Sequence, residues 1–454
     1  MAQSTASVVI CGAGIAGISA AYHLAVAHGV EDVVLVDERP PLTLTSDKST
    51  ECYRNWWPGP GNAMVSLMNR SIDILEDLAR ESGNAFNMNR RGYLYATADP
   101  TRIPLTRRAA QECAALGAGP VRHHPGDAPY RSPLPQGYAG EPTGADLILD
   151  PALIRQRFPY LSARTLAVLH ARRCGWFSAQ QLGMYLLERA REHGVTFVPD
   201  RVEMIDVRKG GVRAVRLQSG DVLTTDRFVN AAGPFLAEIA AMLGVHLPIF
   251  CELHAKVIFR DDLRVVPRDA PLLIWIDPQV LPWSEEERVL LAQDDVTKRF
   301  LRALPSGVHA RPEGGPESNV LLMLWAYQTP PMAPIWPPRF DPHYFEIVLR
   351  GLTRMLPGLQ AYLDRAPRPT IDGGYYTRTR ENRPLIGPLP VRGAYVIGAL
   401  SGFGVMAACA AGELLARHLT GGALPPYAPA FVLERYRDPG YQRLLETWEE
   451  SGQL

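Results

Sequence analysis

The chain has 454 residues, enough for two or three domain-sized cores, and its 46% hydrophobic content is ordinary for a soluble globular protein. Its 47 basic and 47 acidic side chains cancel, which excludes a general attraction to nucleic acid or to an anionic membrane. No basic segment precedes the first apolar run, no uncharged apolar stretch is long enough to span a bilayer, and the six scattered cysteines form no Cys-x-x-Cys pair. The expectation is therefore a cytoplasmic protein with no signal peptide, membrane span, metal site or disulfide framework.

Val8 to Gly17, Val-Val-Ile-Cys-Gly-Ala-Gly-Ile-Ala-Gly, reads as a buried parallel strand, a glycine turn and a helix running through Leu24. Gly12 permits the turn, Gly14 leaves no Cβ between backbone and a pyrophosphate, and Gly17 lets the helix lie close on the strand. The helix N-terminus points free N–H groups at the phosphates. A second strand, Val33 to Val36, ends in Asp37, twenty residues beyond Gly17, where an acid bonds a ribose 2′-hydroxyl. Together these mark a dinucleotide site, and by themselves they do not separate FAD from NAD.

After an irregular stretch from Arg39 to Gly61, the spacing of Met64, Leu67, Met68, Ile72, Leu75 and Leu78 predicts a helix that Gly83 ends. Gly92 to Ala96 reads as a strand, Thr106 to Leu116 as a helix, and Gly117 to Thr143 as a Pro- and Gly-rich loop. A short helical signal at 150–158 and a fuller helix at 180–193, the latter capped by Ser178, precede a strand at 195–198. A three-stranded meander over 202–226 follows. Arg227 to Phe235 is a buried strand ending in Ala231, Ala232 and Gly233, small enough for the chain to pass close to a ligand. Strand patterns at 253–259, 272–276 and 320–326 suggest a second sheet, with a capped amphipathic helix over 284–304 between them. A helix at 343–355, a strand at 394–399, the turn Ser401-Gly-Phe-Gly404, a helix at 405–419 and a helical tail complete the pattern.

Four stretches in order carry a family resemblance: the glycine turn with Asp37, Phe228-Val-Asn-Ala-Ala-Gly-Pro, Arg383-Pro-Leu-Ile-Gly-Pro, and Ser401-Gly-Phe-Gly. Over most of its length the chain resembles the D-amino-acid oxidase and sarcosine oxidase superfamily of FAD enzymes. The resemblance implies an α/β fold of the glutathione reductase type, with a Rossmann-like FAD-binding domain and an interleaved β-rich substrate domain. The expected division is 1–84, 145–245 and 370–430 for FAD, 85–144 and 246–369 for substrate, and 431–454 as a tail. The cofactor-binding set expected on this reading starts with Gly12, Gly14, Ile15, Ala16 and Gly17, then Asp37, Glu38, Arg39, Ser46, Ser49 and Thr50. It continues with Val202, Ala231, Ala232 and Gly233, and ends with Gly402, Phe403, Gly404, Val405 and Met406. A helix starting at Val405 would aim its positive end at the flavin pyrimidine edge.

Departures from the family pattern are equally informative. The sarcosine oxidase branch has a carboxylate-clamping Arg where this chain has Glu51, and a Lys where it has Met406. Both changes argue against a small N-methyl amino acid bound in the sarcosine manner. Glu51 suits a cationic or hydroxyl-bearing substrate, or equally a structural pair with Arg54 or Lys48. The branch's oxygen-reactive Lys falls at Leu322 or Met323, which points to a dehydrogenase. Its flavin-tethering Cys falls at Gly374, and the His of the dimethylglycine dehydrogenase branch has no counterpart between Thr43 and Trp57, so FAD is expected to be noncovalent.

Hydride leaves an amine readily only from the free base, so a proton acceptor is useful; the catalytic candidates are Glu51, His254, Tyr327 and Tyr376. Trp56-Trp57 and the 284–304 helix are candidate roofs. The reading is an FAD-dependent oxidoreductase oxidising the C–N bond of a small molecule by hydride transfer. Alcohol or hydroxy-acid oxidation, and a noncatalytic flavoprotein assembly factor, are the alternatives. Expected partners are the small-molecule substrate and an electron acceptor: oxygen, a quinone or an electron-transfer protein.

Overall fold

A computed structural model describes residues 3–127 and 129–448. The glycine-turn strand Val8–Cys11 lies inside a six-stranded sheet. On one side it pairs in parallel with Val33–Val36, which in turn pairs with Thr196–Val198. On the other side come Phe228–Asn230 and Ala394–Gly398, both parallel, and then Leu385–Pro388, antiparallel. The short all-apolar runs Val8–Cys11 and Val33–Val36 are buried along their whole length, as strands covered on both faces must be. Helices Ile15–Tyr22 and Gly404–Thr420 cross so closely that a Cβ on Gly412 would stand 2.3 Å from the Ser19 hydroxyl oxygen. Ser19 donates to the Ala408 carbonyl at 2.7 Å across that contact. The first and last stretches of the chain thereby share one core.

Helix Ala63–Glu81 buries every apolar residue of its predicted stripe and ends where Gly83 takes φ +65°. The meander Val202–Arg208, Gly211–Leu217 and Val222–Thr224 is present and gains a fourth strand, Gln3–Thr5, parallel to the last.

The second large sheet has nine strands, in the order 370–378, 250–260, 320–324, 308–313, 272–275, 93–97, 167–171, 145–148 and 121–124. Several features differ from the sequence reading. Val121–His124, inside the expected loop, is the edge strand of this sheet and pairs in parallel with Ala145–Ile148. Ala145–Ile148 and Ala167–Ala171, assigned on sequence to the cofactor domain, pair here instead, because Ala167–Ala171 lies against Tyr93–Thr97 and Ala145–Ile148 against Ala167–Ala171. The 284–304 helix keeps its Ser284–Glu287 capping box but ends at Ala292. There the Asp294 carboxylate accepts the N–H groups of Val296 and Thr297, both at 3.2 Å, and diverts the backbone into a turn. A two-stranded pairing of Cys52–Arg54 with Cys174–Trp176 was invisible to local pattern. In the tail, Pro439–Glu446 is helical, and residues 449–454 lie outside the described part. No helix among the described residues is long and apolar enough to cross a membrane.

Candidate active site and cofactor cradle

The glycine turn is built as its spacing requires. Gly12 takes φ +113°, and a Cβ there would meet the Ala231 carbonyl oxygen at 2.4 Å; one on Gly17 would meet the Gly12 carbonyl oxygen at 1.9 Å. Ile15 N–H points to the Ser46 hydroxyl at 3.0 Å. Asp37 accepts from Ala13 N–H at 2.8 Å and from Arg39 N–H at 3.0 Å, so the acid at the strand end is locked to the turn. A cavity of about 260 Å³ runs along this ledge. Ten of the expected cofactor residues line it: Gly12, Gly14, Asp37, Glu38, Arg39, Ser46, Val202, Ala231, Ala232 and Gly233. The glycine cradle, the backbone N–H groups and the terminal acid fit the adenosine diphosphate half of FAD. Ile15, Ala16 and Gly17 form the first turn of the adjoining helix.

A larger cavity, about 750 Å³, lies beyond it. Its floor includes Thr50, Gly402, Phe403 and Met406. Gly404 and Val405 start the helix behind that floor, one residue earlier than its expected start. Ala399 and Ser401 both hold left-handed φ, +52° and +48°, at this strand-to-helix turn. Such backbone is kept only where the surroundings over-determine it, and it concentrates at ligand sites. Ser49 is set back from the cavity, its carbonyl taken by Lys256 Nζ at 3.0 Å.

Three of the four catalytic candidates wall the large cavity: His254, Tyr327 and Tyr376. His254 and Tyr376 sit on adjacent strands, opposite Gly374 and Glu252 respectively, and their rings stack. His254 Nε2 lies 3.2 Å from Glu252 Oε2, which Arg378 Nη1 also approaches at 3.2 Å. Burial pushes the His254 imidazole below its ordinary range despite Glu252. Burial alone would raise Glu252, but the bond from His254 and the charge of Arg378 hold it below the usual carboxylate value. Burial pushes Tyr376 up to about 12, so its hydroxyl stays protonated. Tyr327 gives its hydroxyl to Asp341 at 3.2 Å, and Asp341 also holds Arg299 at 2.7 Å, which makes this group part of the rim.

The fourth candidate, Glu51, takes φ +62° and is not among the residues that line the cavity. Its Oε1 accepts the Ala179 N–H at 2.8 Å at the start of helix Ala179–Glu192, and its Oε2 faces Arg311 at 3.6 Å. Neither Arg54 nor Lys48 is that partner. Lys48 pairs with Asp47 at 2.7 Å and Asp372 at 3.4 Å. Arg311, on a strand missed in the sequence because Pro312 interrupts it, is fully buried and gives Nε and Nη2 to the Thr50 carbonyl at 3.1 and 2.7 Å.

Arg54 belongs to the site by its position. Only 5% exposed, it lines the large cavity, stands 4.4 Å over the Trp57 ring and bonds the Tyr95 hydroxyl at 3.2 Å. Trp57 in turn packs edge-on to Phe403 with centroids 5.2 Å apart. Trp57 is thus a wall of the cavity, as expected; Trp56 is not, and lines a neighbouring one.

Comparison with known proteins agrees with this architecture. The family described as FAD dependent oxidoreductase (DAO) matches residues 7–418. Mitochondrial dimethylglycine dehydrogenase of Rattus norvegicus is 25% identical over 432 residues, 94% of this chain and 44% of the relative; the Homo sapiens protein is 24% identical over 435 residues, 94% and 43%. The chain therefore spans less than half the length of these curated relatives. Among solved structures, L-proline dehydrogenase from P. horikoshii superposes with a TM-score of 0.74 at 18% identity, covering 96% of this chain and 98% of that one. Glycine oxidase from Geobacillus kaustophilus gives 0.72 at 15% identity, covering 95% and 99%. With the cradle, the strained turn and the intervening cavity in the order that the match spans, the chain belongs to the DAO family of FAD-dependent oxidoreductases.

Proposed function

We propose that this protein oxidises the C–N bond of a small amine or amino acid. The observation that carries the reading is the stacked His254–Tyr376 pair in the wall of a cavity floored by Gly402, Phe403 and Met406. Bound FAD supplies the two-electron acceptor. The chain's own residues prepare the substrate. Desolvation inside the cavity disfavours a charged ammonium and so lowers its pKa. Glu252, held ionised, can only accept, so the proton between it and His254 sits on Nε2. That leaves the lone pair on Nδ1 to take a proton from the ammonium, and Glu252 steadies the imidazolium that results. Tyr376 keeps its proton and can donate to the substrate. Arg54 presents a guanidinium suited to a substrate carboxylate. Amine- and amino-acid-oxidising relatives support the substrate class.

The same reading extends to acceptor and tether. Leu322 or Met323 stands where the resemblance places an oxygen-reactive Lys, and Lys256, on the neighbouring strand, is committed to the Ser49 carbonyl, which favours a dehydrogenase. Gly374 packs on Lys48 and Thr45, where a Cβ would meet atoms at 3.1 and 3.3 Å, and it offers no thiol; FAD is noncovalent on this reading.

The test is an anaerobic absorbance screen against amines, amino acids and alcohols, followed by air. Bleaching by an amine or amino acid with slow recovery in air is expected. Bleaching by alcohols alone would overturn the C–N reading, and fast recovery would overturn the dehydrogenase.

A further inference from the structure

Strand Val308–Glu313 alternates about its sheet: Val308 and Ala310 are fully buried, and His309 between them turns to the opposite face, where it lines the large cavity, half-buried. Its Nδ1 lies 2.8 Å from the Gly307 carbonyl oxygen. A carbonyl can only accept, so Nδ1 carries the proton and Nε2 keeps the lone pair. No described residue donates to Nε2, and the ring retains open surface in the cavity. Burial, helped by the Arg54 charge, pushes this imidazole down to about 4, so at neutral pH Nε2 is an acceptor.

No step of the C–N chemistry uses that lone pair. The reacting amine belongs to His254 on Phe250–Arg260, and strand Val320–Leu324 runs between it and the strand of His309. Two strand spacings of about 4.8 Å hold the two backbones roughly 10 Å apart. Leu324, paired with His309 in the register, lines the cavity between them. A glycine-sized substrate at His254 would leave the His309 end empty. The cavity, about 750 Å³, exceeds what such a molecule needs beside a flavin ring, and Trp325, Tyr327, Phe340 and Tyr344 line more of it, which suits a flat side chain. A flat side chain with no donor would displace water from Nε2 and leave the lone pair unpaired.

We propose that His309 determines side-chain specificity: its Nε2 accepts from an N–H or O–H on a flat side chain, so the substrate is an amine or amino acid bearing a phenol- or indole-type group. The amine's place at His254 rests on the C–N reading; the acceptor at His309 does not.

Binding to the FAD-loaded protein tests this without turnover. 4-Hydroxyphenylacetate and indole-3-acetate carry a donor-bearing ring and a carboxylate for Arg54, but no amine; phenylacetate and 1-naphthylacetate match them without the donor. Each is titrated by calorimetry and by the change it causes in the flavin spectrum. At least one donor-bearing acid should bind about tenfold or more tighter than its match. His309→Phe should bring each pair within about threefold, with FAD content and Tm retained, and His309→Leu serves if the ring variant does not fold. His309→Gln, whose amide oxygen accepts, should restore part of the preference. Equal binding within both wild-type pairs, a preference that survives loss of the imidazole, or no binding by any acid up to about 10 mM overturns the proposal. None of these acids has a C–N bond to oxidise at the flavin, except within the indole ring. A failure of amine oxidation therefore leaves the preference standing, and a missing preference leaves the C–N reading standing.

Discussion

His254 and Tyr376 stack with ring centroids 3.9 Å apart and planes 18° from parallel. The contact exists because Phe250–Arg260 and Thr370–Arg378 pair with Gly374 opposite His254, leaving room for the ring to lie on its diagonal neighbour. If His254 Nδ1 takes the substrate proton, His254→Gln should lower the rate of anaerobic flavin reduction by roughly 10²-fold, with FAD content unchanged. Burial holds this imidazole below 6.5, so it stays neutral and competent at neutral pH, and the acid limb of the wild-type rate should lie below 6.5. Stopped-flow pH profiles check both points: the limb should vanish in His254→Gln, and its persistence would remove His254 from the proton path.

Two glycines of the cofactor turn should fail in different ways. A Cβ on Gly17 would lie 1.9 Å from the Gly12 carbonyl oxygen, which is backbone and cannot step aside. Gly17→Ala should therefore destabilise the fold by several kcal/mol, beyond the usual overpacking cost of about 1–3 kcal/mol, and lower Tm in the FAD-free protein. A Cβ on Gly14 would meet only the Ser46 hydroxyl oxygen, at 3.3 Å. Gly14→Ala should leave the FAD-free Tm nearly unchanged but weaken FAD binding tenfold or more, because the methyl occupies the approach to the pyrophosphate. Thermal melts with and without FAD separate the two.

What could be read from sequence was whatever is encoded within a few residues. The glycine turn, Asp37, the Ser401–Gly404 turn and the stripe on helix Ala63–Glu81 are local signals, and each appears where its spacing put it. The surroundings of Glu51 are not local: its partners are Ala179, 128 residues away, and Arg311, on a strand whose Pro312 hides it. Helix 284–304 failed at its end because Asp294, read as one more charged helical residue, bonds the backbone ahead of it. His254 and Tyr376 were singled out separately, but only strand register could bring them face to face.

Glu51 should accordingly behave as a structural residue. Glu51→Ala removes the acceptor for Ala179 N–H and a carboxylate facing buried Arg311, and should cost about 1–3 kcal/mol of stability. Glu51→Gln keeps an oxygen for Ala179 and should cost less. The substrate concentration for half-maximal flavin reduction should not move in Glu51→Gln. A large shift there, with Tm unchanged, would return Glu51 to the substrate.

Acid stability should depend on buried neutral histidines. Burial pushes His23 and His309 down from 6.5 to about 4, and His170 to about 3. Each folded-state pKa lies below its unfolded value, so the unfolded chain binds more protons between the two. Stability is fully present above 6.5 and falls as pH drops through the folded values, with no further loss from these groups below about 3. Urea unfolding across this window should show the decline. His23→Gln should flatten it between 6.5 and about 4, because one proton uptake is removed.

Arg54 gives the sharpest statement about substrate. It is a buried guanidinium among the residues that line the large cavity, held against the Trp57 face at 4.4 Å and by Tyr95. A planar, bidentate donor there selects a carboxylate, which a flexible ammonium matches poorly. Arg54→Lys should raise the half-saturating concentration of an amino-acid substrate by about tenfold or more. It should affect a simple amine without a carboxylate much less, since the proton transfer at His254 does not involve this group. Equal losses for both substrates would mean that Arg54 supports the cavity only by packing on Trp57, and the carboxylate would then have to be held elsewhere or be missing from the natural substrate.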